Sequence, residues 1–315
     1  PLDPSQKVEL HAEDANGRRA SLRITDLRLF LFANATGILS VGAEARDLPA
    51  RDALWINEQM RKIYPTSGRQ LREGRAPNRY WLTVGGDGDE HTIVEDRYEG
   101  SRMQGFQPPL SRIVRALLYF IDYDQYDYEQ LLDERMIVYS YAAVDPASVP
   151  PDFAGSEACQ HLLSRFLYVD HYGEGYRYDE AFVREEMRHK VYRRWAHEGT
   201  FYGFTSYSNV TLTLGEVDRG EHRIAEGCLI HRMFESRYYL MSIIALFYRA
   251  ALLDFEQKTA LVSRRLYRDQ EFGRITRDNL EIADALRAEF LHFSNYWYFA
   301  ELANKDEEIE HFAMM

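Results

Sequence analysis

The sequence predicts an α+β fold, a mixed and largely antiparallel sheet with helices, followed by a long C-terminal helix pair. Three observations lead there. Residues 7–45 alternate apolar and polar side chains, the period of half-buried strands. From residue 220 onward strand signals vanish and apolar residues recur three and four apart, the spacing of one helix face. Gly273 is the punctuation between two helical stretches, about 221–270 and 276 to the end. The chain therefore divides into an α/β domain, residues 1–219, and a helical, stalk-like region, residues 220–315.

Within the first domain, strands are expected at residues 7–12, 20–33 and 37–45, with turns at Asn16-Gly17 and around Asn34, giving an antiparallel meander. Pro49 opens a helix over 50–64, where Ala53, Ile56, Met60 and Ile63 share a face and Pro65 is the stop. Residues 80–84 read as a short strand and 95–109 as irregular. A helix follows at 110–120, then an acidic, tyrosine-rich segment at 122–134, a strand at 136–144 and a helix at 157–167. Asp179 caps a helix at 180–189, and a strand pair is read at 192–195 and 201–214.

The second region begins with a broad apolar surface of Ile230, Met233, Phe234, Leu240, Ile243, Ile244 and Phe247, wider than a two-helix contact needs. Residues 238–255 are apolar enough to raise a membrane span, but Arg249 lies well inside, so a buried helix is the reading taken. The last stretch, residues 275–315, reads as a single amphipathic helix with Ile282, Leu286, Phe290, Phe293 and Trp297 on one stripe and no closing signal after Phe312. At 1.5 Å per residue such a helix is about 55–60 Å long. It would lean on something beyond its own domain. That continuity, with Pro1 where an initiator Met would stand, leads to the expectation of a piece cut from a longer protein.

Composition excludes some functions. A net charge of -12 and an isoelectric point near 5.4 disfavour a nucleic-acid partner and favour cations. Cys159 and Cys228 have no metal or redox spacing, which fits buried thiols in the cytoplasm. The Pro-Leu-Asp-Pro opening, without a basic or apolar leader, sets the expectation of no signal peptide. The sequence holds no G-x-S-x-G elbow, P-loop, dinucleotide-binding glycine motif or H-E-x-x-H, and no enzyme activity is expected.

Two kinds of metal ligand set remain. Glu186 with His189, and Glu308 with His311, are both Glu-x-x-His, a spacing that puts a carboxylate and an imidazole on one helix face as in di-iron bundles. Solvated helix faces give the same pattern. The acidic run holding Asp122, Asp124 and Asp127 offers the oxygen ligands that hard divalent ions take, although it lacks the glycine of an EF-hand loop. A solvated loop over packed tyrosines is its alternative. The aromatic run over residues 290–299 places large rings on every side of a helix, which asks for cover from the core or from neighbouring subunits.

Two segments carry a family resemblance: Tyr202-Gly-Phe-Thr-Ser-Tyr-Ser208, and Glu289-Phe-Leu-His-Phe-Ser-Asn-Tyr-Trp-Tyr-Phe-Ala-Glu-Leu-Ala-Asn304. Together with the layout of the whole chain they resemble the cytoplasmic region of CorA-like divalent cation transporters. The resemblance implies a homo-oligomer, pentameric in that family, with a cytoplasmic funnel gated by Mg²⁺ or a related ion bound between subunits. The Gly-Met-Asn pore signature and the two transmembrane helices are absent from this sequence, so no pore residue carries over.

The expected function is thus a non-enzymatic regulatory or sensor domain on the cytoplasmic face of the bacterial inner membrane, with the membrane part downstream of this chain. Asp122, Asp124 and Asp127 are its expected metal site, weakly holding Mg²⁺ or another divalent cation. A soluble metal-dependent enzyme built on Glu186, His189, Glu308 and His311 is the first alternative, and an ion-independent scaffold the second.

Overall fold

The computed structural model describes residues 6–61, 68–86, 90–98, 112–120, 136–170, 178–215 and 229–315. The chain divides into two compact units, Pro1–Phe30 with Leu39–His231, and Leu31–Ile38 with Arg232–Met315. The class is α+β, as the sequence predicts: two sheets with helices, then long C-terminal helices. The late boundary between the units lies at His231–Arg232. The turn at residues 31–38 belongs with the helices, because Phe32 stacks on Phe247 with ring centroids 4.0 Å apart.

In the first unit β1 (Lys7–Asp14), β2 (Arg19–Leu31) and β3 (Gly37–Glu44) are followed by α1 (Ala50–Met60), α2 (Gly68–Arg72), β4 (Pro77–Gly85), β5 (His91–Arg97) and α3 (Arg112–Leu117). The five strands form one sheet in the order β3-β2-β1-β4-β5, with β1 antiparallel to both β2 and β4. The meander is therefore extended on the β1 side by β4 and by β5, whose C-terminal half lies in a stretch expected to be irregular. At the first hairpin Gly17 takes φ +77°, and the Asp14 carboxylate accepts from the Asn16 and Arg18 amides. Alternation sorts the faces. Leu10, Ala12, Ala20, Leu22 and Tyr80 pack with Trp55 and Ile56 of α1 or Ile113 of α3, leaving the odd-numbered face polar.

The second sheet holds β6 (Val138–Val144), β7 (Val191–Tyr192), β8 (Thr200–Phe204) and β9 (Ser208–Leu214) in the order β6-β9-β8-β7. The stretch read as one strand over 201–214 is a hairpin, β8 and β9, and β6 runs parallel to β9. Against it pack α4 (Glu157–Tyr168) and α5 (Glu180–His189) through Leu163, Leu167, Val183 and Met187, which meet Phe201, Val210 and Leu212. Caps set the ends of α4. Ser156 accepts from the Cys159 amide, and at the other end Val169 turns left-handed at φ 50° while the Asp170 amide reaches Arg165 O.

In the second unit α6 (Leu229–Met233) passes through one π-helical turn, Phe234–Tyr238, into α7 (Tyr239–Glu271), and Gly273 at φ +80° turns the chain into α8 (Arg277–Tyr296). Helix α8 runs antiparallel to α7: Phe255 meets Phe290 and Phe293, Lys258 pairs with Glu289 at 2.7 Å, and Asp269 accepts from Thr276 and Asn279. The expected single helix over 275–315 is not formed. Helix α8 stops at Tyr296, and a separate α9 (Asp306–Met314) folds back onto α7.

The break has identifiable causes. The Trp297 and Tyr298 amides both turn back to Phe293 O, and the Phe299 amide donates to the Tyr248 hydroxyl at 2.9 Å. Asp306, Glu307 and Glu308 then supply the acidic first turn that favours a new helix N-terminus. Helix α8 alone spans about 30 Å. The apolar spacing over 282–297 belongs to α8 and its exit, and nothing in it required the helix to continue.

Candidate functional site

The expected metal site, Asp122, Asp124 and Asp127, lies outside the described residues, as does Cys228. The Glu-x-x-His pairs are described, and in neither do the carboxylate and imidazole converge. Glu186 holds Lys190 at 2.6 Å and accepts from the Tyr168 hydroxyl, whereas His189 points away to Glu185 at 2.8 Å. Glu308 is engaged by Arg237 at 2.7 Å, and His311 is buried with its ring 4.7 Å from that of Tyr238. Among the described residues no group of three or more His, Cys, Asp or Glu side chains is placed to hold a metal ion.

Helix α9 is positioned by the π turn. Arg237 and Tyr238, neighbours on that turn, reach Glu308 and Glu307, the second at 3.1 Å, while Ser242 donates back to Tyr238 O at 2.9 Å. The extra residue of a π turn changes which side chains face one partner helix, and here both turn residues meet α9. His311 is 1 % exposed. Burial pushes its pKa down to about 4, and Glu307, Glu310 and Glu308 pull the other way, so the imidazole is neutral at pH 7.

The residues that carry the family resemblance divide into structural and exposed sets. Thr205 and Ser208 tie the β8–β9 turn to the end of α4: their hydroxyls lie 2.9 Å apart and both donate to Leu167 O. A helix end needs such donors, so packing alone accounts for these two residues. In the aromatic run, Phe293 is core, touching Phe247, Tyr248 and Phe255. Phe290, Tyr296, Trp297, Tyr298 and Phe299 are exposed, Tyr296 to 66 %.

Two arrangements escaped the sequence reading. On the polar face of the five-stranded sheet, His11 bridges Ser21 (Nδ1···Oγ 2.7 Å) and Thr83 (Nε2···Oγ1 2.9 Å) and stacks on Trp81, itself under the Arg79 guanidinium. Burial lowers the His11 pKa, which keeps the ring neutral. A hydroxyl, not a carboxylate, orients the second ring nitrogen, and the three residues tie three strands together; the geometry is that of a cross-strand link. Cross-strand register was its only signal, and register is not visible in a single sequence. Cys159 is likewise inert, its thiol pushed up to about 11 by burial.

The second arrangement is the α7–α8 turn, where Arg264, Arg265, Arg268, Arg274 and Arg277 gather in an acidic chain beside exposed Leu261, Tyr267, Phe272 and Ile275. Its charge pattern is legible in the sequence as a run of like charges. Segment Leu229–Glu271 is the described helix long and apolar enough to cross a membrane by length and composition, and half of its apolar window is buried inside the protein. Met241, Ile243, Phe247, Ala251 and Phe255 of that helix are all buried. Comparison with family models, with curated proteins and with solved structures finds no match.

Proposed function

We propose that this chain is a non-enzymatic regulatory portion of a CorA-like divalent cation transporter, acting as a homo-oligomer at the cytoplasmic face of a membrane. The supporting observation is the aromatic surface at the end of α8. Tyr296, Trp297, Tyr298 and Phe299 follow one another, and each keeps a large share of its ring in water within the single chain. Exposed rings in that density favour burial against another subunit, since each large aromatic offers on the order of 150–250 Å² to an interface. They fall inside the very segment, residues 289–304, that carries the resemblance.

In this reading Mg²⁺ or a similar ion bridges acidic groups, with Asp122, Asp124 and Asp127 the proposed ligands, and shifts the assembly between two states. The broken helix removes one argument for the reading, the long rod. The aromatic surface and the resemblance support it without that rod.

The test is mass by light scattering, without lipid, at increasing concentration and with or without millimolar Mg²⁺. An oligomer whose mass or thermal midpoint responds to Mg²⁺, and which Trp297→Ser with Phe299→Ser dissociates, supports the proposal. A monomer under both conditions with an unchanged midpoint overturns it.

A further inference from the structure

The α7–α8 hairpin has an unusual end. Between Phe255 and Phe293 no residue is buried; Lys258, Val262, Leu266, Asp269, Thr276, Asn279, Ala283, Leu286 and Glu289 are half-buried, with Lys258 bonded to Glu289 and Asp269 to Thr276 and Asn279, and the other side chains of the stretch are exposed. Around its turn, residues 261–277 hold five arginines against two acids in a protein of net charge -12. One of those acids, Asp269, is already committed to Thr276 and Asn279. Among the described residues no carboxylate pairs with Arg264, Arg265 or Arg268. At the apex Phe272 is 81 % exposed, with Ile275 exposed beside it.

We propose that this tip docks on an anionic lipid surface, the arginines facing lipid phosphates and Phe272 with Ile275 entering the headgroup layer. A basic ring around exposed apolar side chains is what an interfacial anchor requires: the charge attracts, and the apolar apex holds on contact. The charge asymmetry also orients the molecule, since the acidic remainder is repelled by the same surface that attracts the tip.

A second copy of the chain is a poorer occupant. Of the exposed acids of α8, Glu281 is paired with Arg277 at 2.9 Å and Asp284 with Arg287 at 3.2 Å, which leaves few free carboxylates, Asp278 among them, for the arginines of a second copy. Nucleic acid is disfavoured by the overall charge. The inference stands independently of the transporter reading, whose test contains no lipid.

Co-sedimentation of the full chain with phosphatidylglycerol–phosphatidylcholine vesicles, against phosphatidylcholine vesicles, tests it. Binding is expected to the first only and to weaken with salt. Each arginine removed costs about fivefold in affinity, so Arg264→Ala with Arg268→Ala weakens binding about 25-fold. Phe272→Asp is expected to abolish binding while leaving the circular dichroism spectrum and thermal midpoint unchanged, since these side chains support no core. Equal binding to both vesicle types, no binding to either, or insensitivity to these variants overturns the proposal. So does a change in oligomeric mass without a change in vesicle binding, which would assign the tip to a neighbouring subunit.

Discussion

The two units use apolar side chains in opposite ways. In the first, Leu163, Leu167, Met187 and Leu212 are sealed between the α4–α5 pair and the second sheet, and their burial is what holds those elements together. In the second, the core around Phe247, Ala251, Phe255 and Phe293 occupies only one end of the α7–α8 hairpin, and Leu261, Tyr267, Phe272 and Leu280 beyond it stay exposed. Each fully buried Leu contributes on the order of 1.5–3 kcal/mol, whereas an exposed one contributes little. The first unit thus has a sealed core, although Ile93, Tyr119 and Phe120 stay exposed on it, whereas the second keeps a run of its apolar residues on the outside of one hairpin arm.

The most direct way to break that comparison is a matched pair of truncations. Leu163→Ala, at a site 1 % exposed, is expected to cost about 3–4 kcal/mol in urea denaturation. Leu261→Ala is expected to stay within about 0.5 kcal/mol. Equal losses would mean that the hairpin arm is covered in the isolated chain and that the contrast between units is false.

Acid is expected to act on the second unit through His311. Its folded pKa lies at about 4, below the ordinary 6.5, so the unfolded chain binds the proton more readily between those values, and stability rises with pH across that window. Nothing is lost at pH 7. As the pH falls from about 6.5 to 4, up to about 3 kcal/mol of the α9 docking is lost. The groups facing the ring are Glu307, Glu308 and Glu310 of α9, with Tyr238 of the π turn packed against it and Arg237 bonded to Glu308. His311→Leu should flatten the thermal midpoint over this range, and a wild-type midpoint constant from pH 6.5 to 4 would refute the assignment.

Helix caps sharpen the contrast on a smaller scale. Ser156→Ala removes an acceptor for the Cys159 amide and a donor to Phe153 O at the start of α4, a loss of about 1 kcal/mol that the whole first unit feels. Thr276→Ala leaves the Asn279 amide uncapped and removes the hydroxyl bond to Asp269 at the start of α8, while the residue-276 amide still donates to Asp269, and it does so in an arm without a core of its own. Hydrogen exchange should therefore show local fraying of α8 near Thr276 with little change in global unfolding. A global loss as large as that of Ser156→Ala would show that the arm and the core unfold together.

What the sequence made legible follows from which interactions are local. Alternation over β1, β2 and β3, the Asn16-Gly17 turn, Asp179 before α5 and Gly273 between long helices are all encoded within a few residues, and the structure has each of them. The class followed from these. Failures occurred where a distant partner decides. Phe32 belongs with the helices only because Phe247 receives it, and the 201–214 stretch breaks because Thr205 and Ser208 satisfy the end of α4. The helix over 275–315 breaks partly because Tyr248 accepts the Phe299 amide, a contact 51 residues away in sequence. The Lys305-Asp-Glu-Glu308 stretch was a local start signal that periodicity masked. For the candidate site, neighbours four residues away settle two of the four Glu-x-x-His residues: His189 faces Glu185 and Glu186 faces Lys190, and an i, i+4 partner on the same helix competes with convergence on a metal.

The smallest effect bears most directly on what the hairpin tip is for. Arg277 pairs with Glu281 four residues on, both largely in water, at a distance of 2.9 Å. Such a pair is worth about 0.3 kcal/mol, and this one has the less favourable order, with the base ahead of the acid. Arg277 also sits in the first turn of α8, where a positive charge opposes the helix dipole. The two terms nearly cancel, so Arg277→Gln is expected to leave the thermal midpoint within measurement error, or to raise it slightly. The same substitution should lower affinity for phosphatidylglycerol vesicles by about fivefold, as for the other arginines of the tip. An arginine that gives its own helix nothing and yet governs lipid affinity would separate surface chemistry from folding at that position. A measurable loss of stability with no loss of vesicle binding would instead assign Arg277 to the helix alone.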